Sequence, residues 1–245
     1  MRQWLVLLLL AVSGPVSAQE IRVAVAANAQ FVMEKLKTGF ETKTGQKIET
    51  IVSSSGKLTA QIKSGAPFDV FLSADMTYPA AVDQAGLAAT RPRVYAYGLL
   101  VLWTKAGFDP GRGLGILSDS RIQKIAVANP KLAPYGATVI EVLTQQNRLT
   151  ALQPKIVYGE SIAQVNQYLI SGAVEAGFTA KSVVLEPSLR GKGRWAEVKG
   201  AAPIAQGVVL LKNARPDART FYDYLFLAEA QAIFRQYGYQ LPARP

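Results

Sequence analysis

The sequence predicts an α/β chain in two lobes, each a mostly parallel sheet flanked by helices, the lobes joined by two hinge strands. Three observations carry that expectation. Short apolar or valine-rich runs alternate with helical patterns from Ile21 onward, which is the order that builds parallel sheets through right-handed crossovers. Two long apolar runs, around Tyr95–Trp103 and Pro203–Leu211, each carry a glycine near the middle, where a strand can bend to pass from one lobe to the other. Small and polar residues follow several strands, at the carboxyl ends where open α/β sheets hold their ligands.

Ile21–Ala26 (IRVAVA) is valine-rich and alternating, so it reads as the first strand. It runs into Ala27-Asn28-Ala29, and Phe31, Val32, Leu36 and Phe40 then trace one helical face up to Gly45; Asn28 is expected to cap that helix. Small side chains at Ala26 and Ala27 let a ligand approach the backbone. Lys47–Val52 is the second strand and stops at Ser53-Ser54-Ser55. Ser55 is expected to cap the second helix, on which Leu58 and Ile62 lie four apart, with Gly65 placed to end it. Free N–H groups and the positive end of the helix dipole meet at such a start, so neutral donors can hold an anion there.

Val70-Phe71-Leu72 is a short continuous apolar run, typical of a strand covered on both faces. A short helix follows Ala74-Asp75, and then a long strand from Arg93 to Lys105 interrupted at Gly98. Beyond the glycine-rich Gly107–Gly115 loop the pattern resumes with a strand at Lys124–Ala128. The loop Asn129–Ala137 after it, held by Pro130, Pro134 and Gly136, leaves Tyr135 free to point into a cleft. Lys155–Tyr158 is a further strand; Ser161 caps the helix after it, exposing the backbone N–H of Ile162. Glu175–Thr179 completes the strands of this half, Pro203–Leu211 returns the chain, and helices from Pro216 to Tyr237 bury Phe221, Leu225, Ile233 and Phe234. Lobe 1 is thus expected over residues 19–97 and 204–245, and lobe 2 over 98–203.

Composition removes several chemistries. The 245 residues include no cysteine and no histidine, which excludes disulfides, thiol nucleophiles, the usual zinc sites and histidine acid–base catalysis. The net charge is +10, but the lysines and arginines are scattered rather than interleaved with aromatics, so no nucleic-acid partner is expected. At the N-terminus, Arg2, the apolar run Leu5–Val12 and the small-residue site Val16-Ser17-Ala18 form an export signal over residues 1–18. A periplasmic location follows from it as an expectation.

With these pieces in order, the chain resembles the periplasmic molybdate-binding proteins of bacterial ABC importers, which are type II periplasmic binding proteins. The matching residues are Ala24–Asn28, Ser53–Leu58, Gly65–Asp75 (GAPFDVFLSAD), and the loop from Asn129-Pro130 through Ala133-Pro134-Tyr135-Gly136. The resemblance implies oxyanion contacts at Ala27, Asn28, Ser55 and Tyr135 and through the backbone of Ile162. One branch of the family has a serine in place of Asn28 and a ligand-contacting tyrosine where Thr179-Ala180 stands; this sequence follows the other branch. The resemblance further implies molybdate and tungstate as ligands, molybdenum held only as molybdate, a membrane permease as partner, a monomer, no cofactor and no enzymatic activity.

The residues agree on chemistry. Molybdate and tungstate carry no proton at neutral pH and suit a pocket of donors, whereas monohydrogen phosphate asks for an acceptor, and none of these loops aims an Asp or Glu inward. Sulfate or thiosulfate passes the same criterion, and a receptor for either stays open at this point. An exported serine hydrolase built on Ser55 would have to use Lys57 as base, which helical spacing turns away from Ser55.

Overall fold

The computed structural model describes residues 20–243; the export signal expected at residues 1–18 lies outside them. The chain forms two five-stranded sheets, and both are built to one plan. The first half contributes β1 (Ile21–Ala26), α1 (Gln30–Thr44), β2 (Ile48–Ser53), α2 (Ser55–Lys63), β3 (Val70–Leu72), α3 (Thr77–Gln84) and β4 (Arg93–Gly98). The second contributes β5 (Leu100–Thr104), β6 (Ile125–Ala128), α4 (Pro134–Gln145), α5 (Leu149–Leu152), β7 (Ile156–Gly159), α6 (Ile162–Ile170), β8 (Ala176–Ala180), α7 (Lys181–Val184) and β9 (Arg194–Glu197). The chain then returns through β10 (Ile204–Leu210) to α8 (Ala218–Tyr224) and α9 (Ala228–Gln236).

Strand order is β2-β1-β3-β10-β4 in one sheet and β7-β6-β8-β5-β9 in the other. The parallel pairing expected from the βα pattern holds for β2-β1-β3 and β7-β6-β8, whereas β10 and β5 run antiparallel to their neighbours. Both sheets are therefore mixed. In β1 five of six residues are buried because helices cover both faces. On one side Val32, Met33, Leu36 and Phe40 of α1 meet Phe221 and Phe234; on the other Leu58 and Ile62 of α2 meet Phe71 and Val209. Gly45 ends α1 at φ 73, a conformation that side chains resist.

The long strand expected over Arg93–Lys105 is two strands. β4 lies in the first sheet and β5 in the second, and the chain passes between them at Leu99. A Cβ on Gly98 would lie 2.0 Å from the Tyr135 hydroxyl, so the glycine makes room for a side chain of the other lobe. β10 carries a bulge between Gln206 and Gly207, which lets this strand bend as well. The strand β9 escaped the sequence reading because Arg-Trp-Ala-Glu is short, largely exposed and without apolar alternation. It holds its edge position by pairing Trp195 with Trp103.

The lobes meet face to face. Gly56 N–H donates to the Leu132 carbonyl at 2.9 Å, and the Tyr78 hydroxyl donates to the Lys131 carbonyl at 3.1 Å. Lys57 forms an ion pair with Glu160 across the same seam. Both members are half-exposed, so the pair adds little beyond register. Among the described residues no helix is long and apolar enough to cross a membrane, and no group of three or more His, Cys, Asp or Glu is arranged to hold a metal ion.

Candidate functional site

Each parallel half-sheet ends in a pair of loops that lead directly into helices, and the two pairs face one another. After β1 come Ala27 and Asn28; after β2, Ser54 and Ser55; across the seam, after β6, Ala133, Pro134 and Tyr135; after β7, Ile162. With Ala26 and Ala74 these residues line one small cleft between the lobes. Its empty volume is about 200 Å³, part of it open to solvent. The lobes are drawn together beside it by the Gly56–Leu132 and Tyr78–Lys131 contacts.

The walls offer donors. The backbone N–H groups of Asn28, Ser55, Tyr135 and Ile162 lie in the first turns of their helical segments and donate to no protein acceptor among the described residues. Such N–H groups are the unpaired donors of a helix start, where the dipole also favours negative charge. Pro134 at the first position of α4 forfeits no bond, since its missing N–H would have been unpaired.

The serine side chains add to this. Ser55 Oγ accepts the Ala74 N–H at 3.0 Å, which leaves its own proton to be given away. Ser54 Oγ is buried and unpartnered. Ser54, not Ser55, is the N-cap of α2; Ser55 is its first residue, one position further in than the sequence suggested, and its hydroxyl is therefore free of capping. Ser54 is the residue that sequence reasoning passed over. Its signal was present in the run of three serines, but cap position alone could not divide their roles.

Two further expectations are corrected in detail. Asn28 does not cap α1: it sits inside a tight turn, Ala27–Ala29, and Ala29 occupies the cap position. Its side-chain amide turns away into the hinge, donating to Gln206 Oε1 at 2.8 Å and to the Tyr239 hydroxyl at 3.2 Å. What Asn28 presents to the cleft is its backbone. Tyr135 behaves in the same way, for its hydroxyl lies against Gly98 rather than in open space. Burial, helped by the neighbouring Tyr239 phenol, pushes the Tyr135 hydroxyl well above the usual tyrosine range, the Asn28 amide acting in the opposite sense. The group stays protonated at neutral pH.

No Asp, Glu, Lys or Arg lines the cleft. Asp75, on the loop after β3, accepts from Ser73 Oγ at 3.1 Å and from Tyr78 N–H at 3.2 Å. Burial raises its pKa, and these hydrogen bonds offset only part of that. Lys57, the one base considered for a hydrolase, gives its ammonium to Glu160, and Ser55 Oγ is engaged by Ala74. Among the residues that line the cleft none is a carboxylate, lysine or histidine that could act as a base toward Ser55. The arrangement can hold, with neutral donors, a compact ion that has acceptors on all sides and no proton of its own.

Two hinged α/β lobes closed over a donor-lined cleft define a solute-binding protein of the periplasmic type. The chain belongs to the bacterial extracellular solute-binding protein family, which it matches over residues 21–240. It is 38% identical over 231 residues to the molybdate-binding protein ModA of Azotobacter vinelandii, covering 91% of each chain. It is 37% identical to the molybdate-binding protein ModA of Rhodobacter capsulatus, covering 95% of this chain and 92% of that one. Among solved structures, the periplasmic molybdate-binding protein of Azotobacter vinelandii superposes with a TM-score of 0.85 at 33% identity, covering 91% of this chain and all (100%) of that one.

Proposed function

We propose that this chain captures molybdate, and tungstate with it, in the periplasm and delivers the ion as a monomer to the permease of an ABC importer. The observation that carries this reading is the donor-only cleft. Asn28, Ser55, Tyr135 and Ile162 offer backbone N–H groups, Ser54 and Ser55 offer hydroxyls, and no carboxylate faces them. A fully deprotonated tetrahedral dianion accepts from all of these and is asked to donate nothing. The relatives named as molybdate-binding proteins across nearly the whole chain point the same way.

In this account the ion enters while the lobes are apart and is met first by the donors of one lobe. Rotation about the strands at Gly98 and Gln206 brings in the second pair of helix starts and replaces the ion's lost water. Because the donors are neutral, no protein charge is buried unpaired on closure. The contacts of Gly56 with Leu132 and of Tyr78 with Lys131 then hold the seam. No cofactor takes part.

Thermal melting tests the ligand class. A ligand present at about 100 times its Kd adds ~2.7 kcal/mol to folding stability. For a chain of this size that is a rise of roughly 5–10 °C. Molybdate and tungstate are expected to give it and phosphate to give none; no shift with either metal oxyanion at millimolar concentration rejects the reading. Sulfate also lacks a proton at neutral pH, so a competition titration between sulfate and molybdate decides which of them the cleft prefers. Ser55→Ala removes one charge-assisted donor and is expected to weaken molybdate binding by about 10–100-fold in calorimetry.

A further inference from the structure

We propose that Gln206 is a positioning residue of the oxyanion site, fixing two of its donors from the hinge strand without touching the ligand. The inference rests on the reading that the cleft holds an oxyanion. Gln206 is 0% exposed, and it stands at the bulge of β10. A buried glutamine amide is costly unless every polar atom finds a partner, and here each does. Nε2 donates to the Ala74 carbonyl at 3.0 Å and to the Ile204 carbonyl at 2.8 Å, while Oε1 accepts from Asn28 Nδ2 at 2.8 Å.

The partners matter more than the count. Ala74 is the residue whose N–H holds Ser55 Oγ, so the residue that Gln206 grips through its carbonyl also aims the serine hydroxyl. Asn28 is the residue whose backbone N–H faces the cleft, and the Gln206 bond sets the orientation of its side chain together with Tyr239. The Asn28 carbonyl is fixed in turn by Ser182 Oγ at 2.7 Å, a group from the other lobe. Next along the strand, Gly207 exchanges backbone bonds with Ser73 and Asp75, so β10 brackets Ala74 on both sides. A rotation of the hinge strand thus moves the donors of the first lobe directly, and the Gln206 side chain joins these contacts in coupling occupancy of the cleft to lobe closure.

Gln206→Glu tests this. A carboxylate in place of the amide faces the Ala74 and Ile204 carbonyls with no proton to give, while the protonated acid regains one donor; burial raises the pKa of such a carboxyl by up to several units. Calorimetric titration with molybdate is run from pH 6 to pH 9. The wild type is expected to bind with constant affinity. Gln206→Glu is expected to bind about 10–100-fold more weakly at pH 9, as when the outer partner of a ligand-holding group is lost, and to recover as the pH falls. Equal affinity to wild type throughout, or a loss that does not change with pH, overturns the proposal.

If Gln206→Glu does not fold, Gln206→Leu is combined with Ser55→Ala. A residue that acts through the Ser55 hydroxyl gives a double variant within about 3-fold of the weaker single, whereas losses that multiply overturn the role. Wild-type protein that binds neither metal oxyanion is a separate outcome: it defeats the proposed function itself, whatever the variants do.

Discussion

Asp69→Ala is expected to lower folding stability by ~3–5 kcal/mol, which is roughly 6–20 °C in melting temperature for a chain of this length. Asp69 is 4% exposed, immediately before β3. Its carboxylate accepts Arg22 N–H at 2.7 Å, Arg215 N–H at 2.9 Å and Arg215 Nη2 at 2.7 Å. Taking it away strands a guanidinium that is only one-fifth exposed and whose Nη1 already lacks a partner. It also leaves two backbone N–H groups without acceptors, each worth ~1–3 kcal/mol when buried. Arg215 keeps some water, so the ion pair alone gives the lower end of the range and the backbone groups supply the rest.

Ligand affinity is expected to change little, within about 3-fold, because Asp69 lies at the opposite end of β3 from Ala74, some 15 Å away at the rise of an extended strand. Thermal or urea unfolding reads the first effect and calorimetry on the folded protein the second. A melting temperature within about 2 °C of wild type would show that the clamp between β1, β3 and the Arg215 segment does not hold the lobe together.

Gly136→Ala is expected to weaken molybdate binding at least ~100-fold, the equivalent of losing about two charge-assisted donors. A Cβ at Gly136 would lie 2.0 Å from the Ala128 carbonyl oxygen and 2.7 Å from its carbon. Those atoms are backbone at the end of β6, so no rotamer can relieve the contact. Either α4 or the strand must move, and α4 carries the Tyr135 N–H. A displacement of about 1 Å takes a hydrogen bond out of useful range, and overpacking of this kind also costs stability, ~1–3 kcal/mol. Gly115→Ala, in the same half of the chain, is the control: nothing lies within 4 Å of its added Cβ, and affinity and melting temperature should both hold. Affinity within about 3-fold of wild type in Gly136→Ala would mean that the start of α4 does not contribute to the site.

The sequence displayed the strands well because their signal is local. Ile21–Ala26 and Val70–Leu72 fall where valine alternation and an unbroken apolar run place them. Helix ends were equally legible at Gly45, where a left-handed residue must follow α1. The cleft itself was legible as a set of helix starts after strands, which is why Asn28, Ser55, Tyr135 and Ile162 meet in one place.

What the sequence hid is which atoms do the work. A cap and a first-turn residue differ by one position, so the cap expected at Ser55 falls on Ser54. The Asn28 side chain was expected to cap α1 and that of Tyr135 to point into the cleft, yet Asn28 turns to Gln206 and Tyr135 lies against Gly98. Their partners Gln206, Tyr239 and Gly98 lie far along the chain and carry no local pattern that announces them. Gln206 stands 178 residues from Asn28, in a strand that the sequence marked as a hinge crossing without giving its glutamine a role. Polar groups buried inside hydrophobic segments are the part of a binding protein that periodicity cannot read.

The central claim is that neutral donors at four helix starts, two from each lobe, converge on one fully deprotonated ion. A crystal structure with molybdate, using the metal's anomalous signal to fix its position, tests that directly. The predicted result is a single strong peak between the N–H groups of Asn28, Ser55, Tyr135 and Ile162, with its oxygens within hydrogen-bond distance of all four. A peak elsewhere contradicts it, for instance in the larger basic hollow beside Arg22, Lys212 and Arg215, as does an ion in the cleft held by only one lobe.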